Sequence, residues 1–216
     1  MDKNNLEKIA SDFNYTLDYL TSGSPIFQIK NLYTFTSDSI HLAHAVKEDY
    51  IETLIDLCAG SGVVGLEVVG NKQVKNLILV ELQKELAECA TNSAKVNLSK
   101  TNITVLNKNV TELSSVLQEG GADVVVCNPP YFKKGSGDVP SNLSRAMARH
   151  ELTLTLKDLT KEVSRLLKAG GKFYLIHLYS RQKEIEKELL GAGFNIISIT
   201  ELSGKLKRII VESQKI

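Results

Sequence analysis

The chain has 216 residues, and 26 lysines and arginines almost balance 25 aspartates and glutamates, for a formal charge of +1. That length suits one substantial domain with an appendage, the 43% hydrophobic and 24% charged residues are ordinary for a globular fold, and the even charge argues against a protein held to nucleic acid by bulk electrostatics. No apolar run reaches the ~18 residues of a membrane span, the start M-D-K-N-N-L-E-K lacks the apolar stretch of a signal peptide, and Cys58, Cys89 and Cys127 form no C-x-x-C pair, so the pattern reads as a soluble, cytoplasmic protein with neither a membrane partner nor a metal.

Residues 6–19 read as a polar helix leading into P-I-F-Q-I-K-N-L-Y-T-F (25–35), whose alternation predicts a short hairpin. S-D-S-I-H-L-A-H-A-V follows, with Ser37 or Asp38 as a candidate N-cap and Ile40, Leu42, Ala43 and Val46 at helical spacing. Residues 1–50 thus form an N-terminal extension. From residue 51 to 216, strands and helices alternate: strands over 53–58, 76–80, 103–107, 122–127 and 173–178, and helices over 63–69, 83–97, 112–118, 154–167 and 181–190. Such alternation predicts an α/β fold, a parallel sheet with helices on both faces. The chain closes with two strand-like runs, 194–200 and 207–213, too near each other for a right-handed crossover, so the last strand is expected to run antiparallel.

D-L-C-A-G-S-G-V-V-G (56–65) lies where the first parallel strand meets its helix. Gly60 and Gly62 allow a sharp turn and close approach of a ligand to the backbone. Gly60, Gly62 and Gly65 also satisfy G-x-G-x-x-G, which keeps a nicotinamide dinucleotide, and so an oxidoreductase, among the readings. Asp56 places a carboxylate where it would repel a pyrophosphate but meet a cationic amino-acid group, and Glu81, at the end of the second strand, can accept both hydroxyls of a ribose. An acidic site of this kind suits S-adenosyl-L-methionine, which carries an ammonium and a sulfonium and no phosphate.

D-V-V-V-C-N-P-P-Y-F (123–132) is the most specific stretch. Two prolines fix the backbone and remove N–H donors, leaving acceptors at the carboxyl edge of the sheet. The amide oxygen of Asn128 and the carbonyl of Pro129 can together accept both hydrogens of one –NH2 group, and Tyr131 offers a face for a planar substrate, with stacking worth ~1–3 kcal/mol for a base. Cys127 reads as a small buried residue, His41 and His44 as packed or capping groups, and His177 as structural. Residues 131–183 hold 11 basic and four acidic residues, leaving +7 there and −6 elsewhere. Lys133, Lys134, Arg145 and Arg149 lie on or near a polar Gly/Pro-containing stretch that reads as a flap able to meet RNA phosphates.

In these segments, together with F-T-S-D-S-I-H-L-A (35–43) and A-R-H-E (148–151), the sequence resembles the class I S-adenosylmethionine-dependent methyltransferases, specifically the N-P-P-Y amino methyltransferases. Within them it is most similar to the bacterial tRNA adenine-N6 methyltransferases that modify the adenine beside the anticodon of valine tRNA. The resemblance implies a Rossmann-like, seven-stranded, mostly parallel sheet with an antiparallel last strand. It implies methyl transfer to an exocyclic amine, with Asn128, Pro129 and Tyr131 as catalytic residues. It places S-adenosyl-L-methionine against Asp56, Ala59, Gly60, Ser61, Gly62, Glu81, Leu82, Asn109, Val110 and Asn128, although Asn109-Val110 stands where many relatives carry an acid. Pro130, Phe132, Lys133, Lys134, Arg145, Arg149 and His150 are the expected substrate contacts, with RNA, most simply tRNA, as partner. A protein glutamine-N5 methyltransferase and a guanine-N2 rRNA methyltransferase share the N-P-P-Y chemistry and stay open, and nothing in the pattern sets an oligomeric state.

Overall fold

The computed structural model describes residues 2–30, 32, 34–97, 100–131, 154–204 and 206–216. Helix α1 (Lys3–Asp12) is capped by Asp2, whose Oδ1 accepts the Asn5 N–H at 2.9 Å. The helix stops short of the expected residue 19 because Asn14 takes a left-handed turn, with φ 55°. The chain then enters strand β1 (Thr16–Tyr19), which pairs antiparallel with β2 (Pro25–Gln28). A hairpin does form, but it uses 16–28 rather than 25–35.

Helix α2 (Ser37–Ala45) begins the second half of the extension. Its N-cap is Thr36, without a side-chain capping bond, so neither Ser37 nor Asp38 plays that role. The alternating part follows: β3 (Tyr50–Leu57), α3 (Val63–Asn71), β4 (Gln73–Glu81), α4 (Lys84–Val96), β5 (Asn102–Asn107), a 3₁₀ turn over Val110–Ser115, β6 (Ala122–Cys127), α5 (Leu156–Leu166), β7 (Leu167–Leu178), α6 (Gln182–Gly191), β8 (Phe194–Leu202) and β9 (Arg208–Lys215). The helix expected over 112–118 is only that 3₁₀ turn, and β7 begins at Leu167, well before the expected residue 173, and runs through Gly170 and Gly171.

The seven-stranded sheet has the order β5-β4-β3-β6-β7-β9-β8. All pairs are parallel except those of β9, which runs antiparallel between β7 and β8. Alternation along β3 sends Leu54 to one core cluster, with Leu66, Leu77 and Leu42, and sends Ile55 and Leu57 to the other, with Val163 and Phe173. Each fully buried Leu or Phe contributes roughly 1.5–3 kcal/mol of apolar burial. A third cluster ties α1 to α4 through Leu6, Ala10, Phe27, Cys89 and Val96.

The described residues of the extension therefore pack directly on the alternating part. Glu67 of α3 is a second attachment. Its buried carboxylate accepts from the Ser22 N–H at 3.2 Å, Ser22 Oγ at 3.0 Å, His44 Nε2 at 2.9 Å and the Thr21 hydroxyl. Burial alone would raise this carboxyl, but those hydrogen bonds outweigh it and hold the group below the ordinary carboxylate range. Among the described residues no helix is long and apolar enough to cross a membrane.

Candidate active site

Central strands β3 and β4 end in carboxylates. Asp56, next to last in β3, is fully buried. Its Oδ2 accepts the Gly65 N–H at 2.8 Å, and its Oδ1 is a buried atom with no hydrogen-bond partner among the described residues. Burial pushes its pKa up to about 7, the Gly65 N–H opposing and the charge of Glu81 adding. Glu81 closes β4, its Oε2 accepting the Gly60 N–H and its Oε1 the Gln83 N–H, each at 2.8 Å. Burial raises this carboxyl too, against the backbone N–H groups of Gln83, Gly60 and Leu82.

The loop between them turns through Gly60 (φ 58°) and Gly62 (φ 90°), the latter the N-cap of α3. Ala59 is buried and donates its N–H to the Val80 carbonyl at 3.0 Å, and Ser61 is buried beside it. A Cβ added at Gly62 would lie 2.9 Å from Leu79 Cδ1, whereas one at Gly60 would meet nothing within 4 Å. The loop is thus closed against β4 and open at Gly60. At Gly65 a Cβ would fall 2.8 Å from Leu77 and 2.7 Å from Leu79, so only glycine lets α3 lie this close to the sheet. Half-buried Leu82 follows Glu81 directly, and its carbonyl accepts the Asn107 Nδ2 at 2.8 Å. Asn109 caps the 3₁₀ turn by accepting the Thr111 N–H at 3.1 Å, which leaves its amide –NH2 as the group able to meet a ligand, and Val110 beside it is buried.

This donor set fits S-adenosyl-L-methionine. Asp56 offers an orphaned buried oxygen to an ammonium, each Glu81 oxygen keeps a lone pair for a diol, and Gly60 leaves its approach clear. A pyrophosphate would face two carboxylates.

The second half of the site follows from register. Leu57 of β3 pairs with Cys127 of β6, so the turn Asn128–Tyr131 leaves the sheet at the same edge as the glycine loop, one strand away. Pro129 is buried, and Asn128, Pro130 and Tyr131 are half-buried. Asn128 Nδ2 donates to Ser39 Oγ at 3.2 Å, and its Oδ1 accepts the Tyr131 hydroxyl at 2.6 Å. The Tyr131 ring tilts by 49° against His177, with centroids 5.3 Å apart, and its carbonyl accepts from Arg181 Nη1 at 3.2 Å. His177 is buried, and burial, reinforced by the positive charge of Arg181, pushes its pKa down to about 3. It is therefore neutral, and since Nδ1 accepts the Leu178 N–H at 2.8 Å the proton sits on Nε2. Burial and the neighbouring Cys58 thiol push Cys127 well above the usual thiol range, so it is no nucleophile.

The structure thus brings Asp56, the loop 59–62, Glu81 and the turn 128–131 to one edge of the sheet, while Phe132, Lys133, Lys134, Arg145, Arg149 and His150 lie outside the described residues. Sequence reasoning missed three contributors: Ser39, Arg181 and Arg208. Asp38, read from the sequence as a helix cap or a contact to cofactor or substrate, is buried, with Oδ2 2.5 Å from Arg208 Nε and 3.4 Å from the Tyr131 hydroxyl. Arg208 is distant in sequence and sits in an unremarkable strand, so no local signal marks it.

A family model described as "Conserved hypothetical protein 95" matches residues 41–163. A Shewanella baltica (strain OS185) protein named tRNA1(Val) (adenine(37)-N6)-methyltransferase is 26% identical over 167 residues, covering 77% of this chain and 69% of that protein. A Porphyromonas gingivalis protein of the same name is 30% identical over 146 residues, covering 67% of this chain and 56% of that one. Among solved structures, M. jannaschii TYW2 in complex with AdoMet is similar with a TM-score of 0.65 at 14% identity, over 93% of this chain and 85% of that one, which speaks to the fold.

Proposed function

The chain belongs to the family described as Conserved hypothetical protein 95, and from that membership and the site's chemistry we propose that it is an S-adenosylmethionine-dependent methyltransferase of adenine N6 in tRNA. The observation that carries the reading is the pairing of β3 with β6. It sets an acidic, glycine-bearing cofactor loop beside a rigid acceptor turn at one sheet edge. The name shared by relatives at 26% and 30% identity supports the choice of acceptor.

Asp56, the loop 59–62, Glu81, Leu82 and Asn109 would hold S-adenosyl-L-methionine. Bound there, it supplies a methyl carbon made electrophilic by the positive sulfur. The chain's own part is positional. An exocyclic amine shares its lone pair with the ring and is a poor nucleophile. Hydrogen bonds from its two N–H groups to Asn128 Oδ1 and the Pro129 carbonyl favour a tetrahedral nitrogen with the lone pair directed away from both acceptors. The prolines fix the backbone that carries the Pro129 carbonyl, so orientation supplies most of the acceleration. The Tyr131 ring, tilted against His177, is the planar surface on which the adenine would stack. An anticodon-loop adenine is already unpaired, so presenting it costs little. The basic residues 133, 134, 145 and 149 suit RNA phosphates, and a tRNA substrate sets the work in the cytoplasm.

Transfer of tritium from labelled S-adenosylmethionine tests this reading, with total tRNA and release factor offered in parallel and the RNA digested to nucleosides. The expected result is labelled N6-methyladenosine. Label in release factor alone would make the enzyme a glutamine methyltransferase, and label in neither would remove the proposed acceptors.

A further inference from the structure

The acceptor oxygen assigned to the substrate is already engaged. Asn128 Oδ1 holds the Tyr131 hydroxyl at 2.6 Å, while the same hydroxyl lies 3.4 Å from Asp38 Oδ2. A phenol has one proton and serves one of these acceptors well at a time. Asp38 is set as the alternative: it is 5% exposed in the first turn of α2, and Arg208, the first residue of β9, holds its Oδ2 at 2.5 Å. Ser39, the next residue of α2, takes the Asn128 amide donor at 3.2 Å, so one helix turn contacts both members of the pair.

We infer that Asp38, fixed by Arg208, is a positioning residue that receives the Tyr131 hydroxyl when the substrate amine arrives at Asn128. The inference rests on the reading of Asn128 Oδ1 as the substrate's acceptor. The hydroxyl needs to move by less than about 1 Å to turn the longer contact into a hydrogen bond. A carboxylate is a stronger acceptor than an amide, so the exchange leaves no buried donor unpaired. Asp38 is already buried against a guanidinium, so no new charge is desolvated. An amide at position 38 is the weaker acceptor. The hydroxyl would then stay on Asn128 and compete with the adenine. The alternative, that Asp38 and Arg208 merely staple α2 to β9, gives a different pattern of coupling.

The test is a double-mutant cycle on kcat/KM for tRNA, with S-adenosylhomocysteine affinity by calorimetry as the check that each variant keeps its fold. Asp38→Asn should lower kcat/KM by about tenfold or more. In a Tyr131→Phe background, with no hydroxyl to relocate, the same change should cost less than about threefold. Equal fold-losses in the two backgrounds overturn the inference and leave Asp38 a staple. A second measurement uses the wild-type chain labelled with 13Cζ-tyrosine, the Tyr131 resonance being the one absent in Tyr131→Phe. In the presence of S-adenosylhomocysteine that resonance should move when an anticodon stem-loop is added, and a resonance that does not move also overturns the inference. A wild-type enzyme that labels no RNA defeats the function reading and this inference together, whereas labelled RNA with equal losses defeats this inference alone.

Discussion

The two halves of the site are built differently. On the cofactor side, carboxylates grip backbone: Asp56 takes the N–H of Gly65 and Glu81 those of Gly60 and Gln83. Such bonds are part of the turn itself and cannot shift without unmaking it. On the acceptor side, side chains grip side chains: Tyr131 to Asn128, Asn128 to Ser39, Arg208 to Asp38. Those partners come from three segments remote in sequence and can exchange at little cost. The contrast separates a rigid socket from an adjustable one, which is what the proposed small cofactor and large RNA would each require.

Removing the central acceptor should break the comparison hardest. Asn128→Ala is expected to leave S-adenosylhomocysteine affinity within about twofold while lowering tritium transfer to tRNA by roughly 10²–10³-fold, the scale of losing one aligned polar group at a reacting centre. Surviving turnover would remove Asn128 from the chemistry. Next comes the rigid socket. Gly62→Ala forces an alanine into φ 90° and drives its Cβ to 2.9 Å from Leu79, so it should cost about 1–3 kcal/mol in a denaturant melt and weaken cofactor binding as well. A neutral outcome would mean that the loop has slack.

Asp56 sharpens the comparison through pH. Its pKa is raised to about 7 in the fold, so the protonated form is the favoured one. The associated stability is present below the ordinary value of 3.8 and is lost as pH rises through 7. A cationic amino-acid group needs the ionised form. Calorimetry should therefore find S-adenosylmethionine affinity rising severalfold from pH 6 to 7.5, with proton release on binding, and Asp56→Asn should flatten both trends. Affinity that is flat in the wild type would detach Asp56 from the cofactor. The smallest effect belongs to the extension: His44 is half exposed where it meets Glu67, so His44→Ala should lower stability by less than about 1 kcal/mol and leave methyl transfer unchanged.

The parallel core was legible because buried strands and amphipathic helices announce themselves by period, and the glycine loop and N-P-P-Y turn stood out because their residues are contiguous. The register of the N-terminal hairpin was not legible, although the helix after it was. Nothing between residues 6 and 19 outweighed helical spacing except Asn14, whose left-handed conformation stops α1 and frees Thr16–Tyr19 to pair with Pro25–Gln28. Asp38 was legible as an acid at a helix start, but its partner Arg208 lies 170 residues away, and only the position of β9 between β7 and β8 brings the two together. Local chemistry thus marks the candidate site, whereas the side-chain contacts around it depend on tertiary pairing.

The placement of β9 ties the sheet edge to the candidate site. Among the described residues, edge strand β8 pairs only with β9, and Arg208 is the first residue of β9. A change that loosens β9 would therefore free β8 from the sheet and part Asp38 from its guanidinium at one stroke.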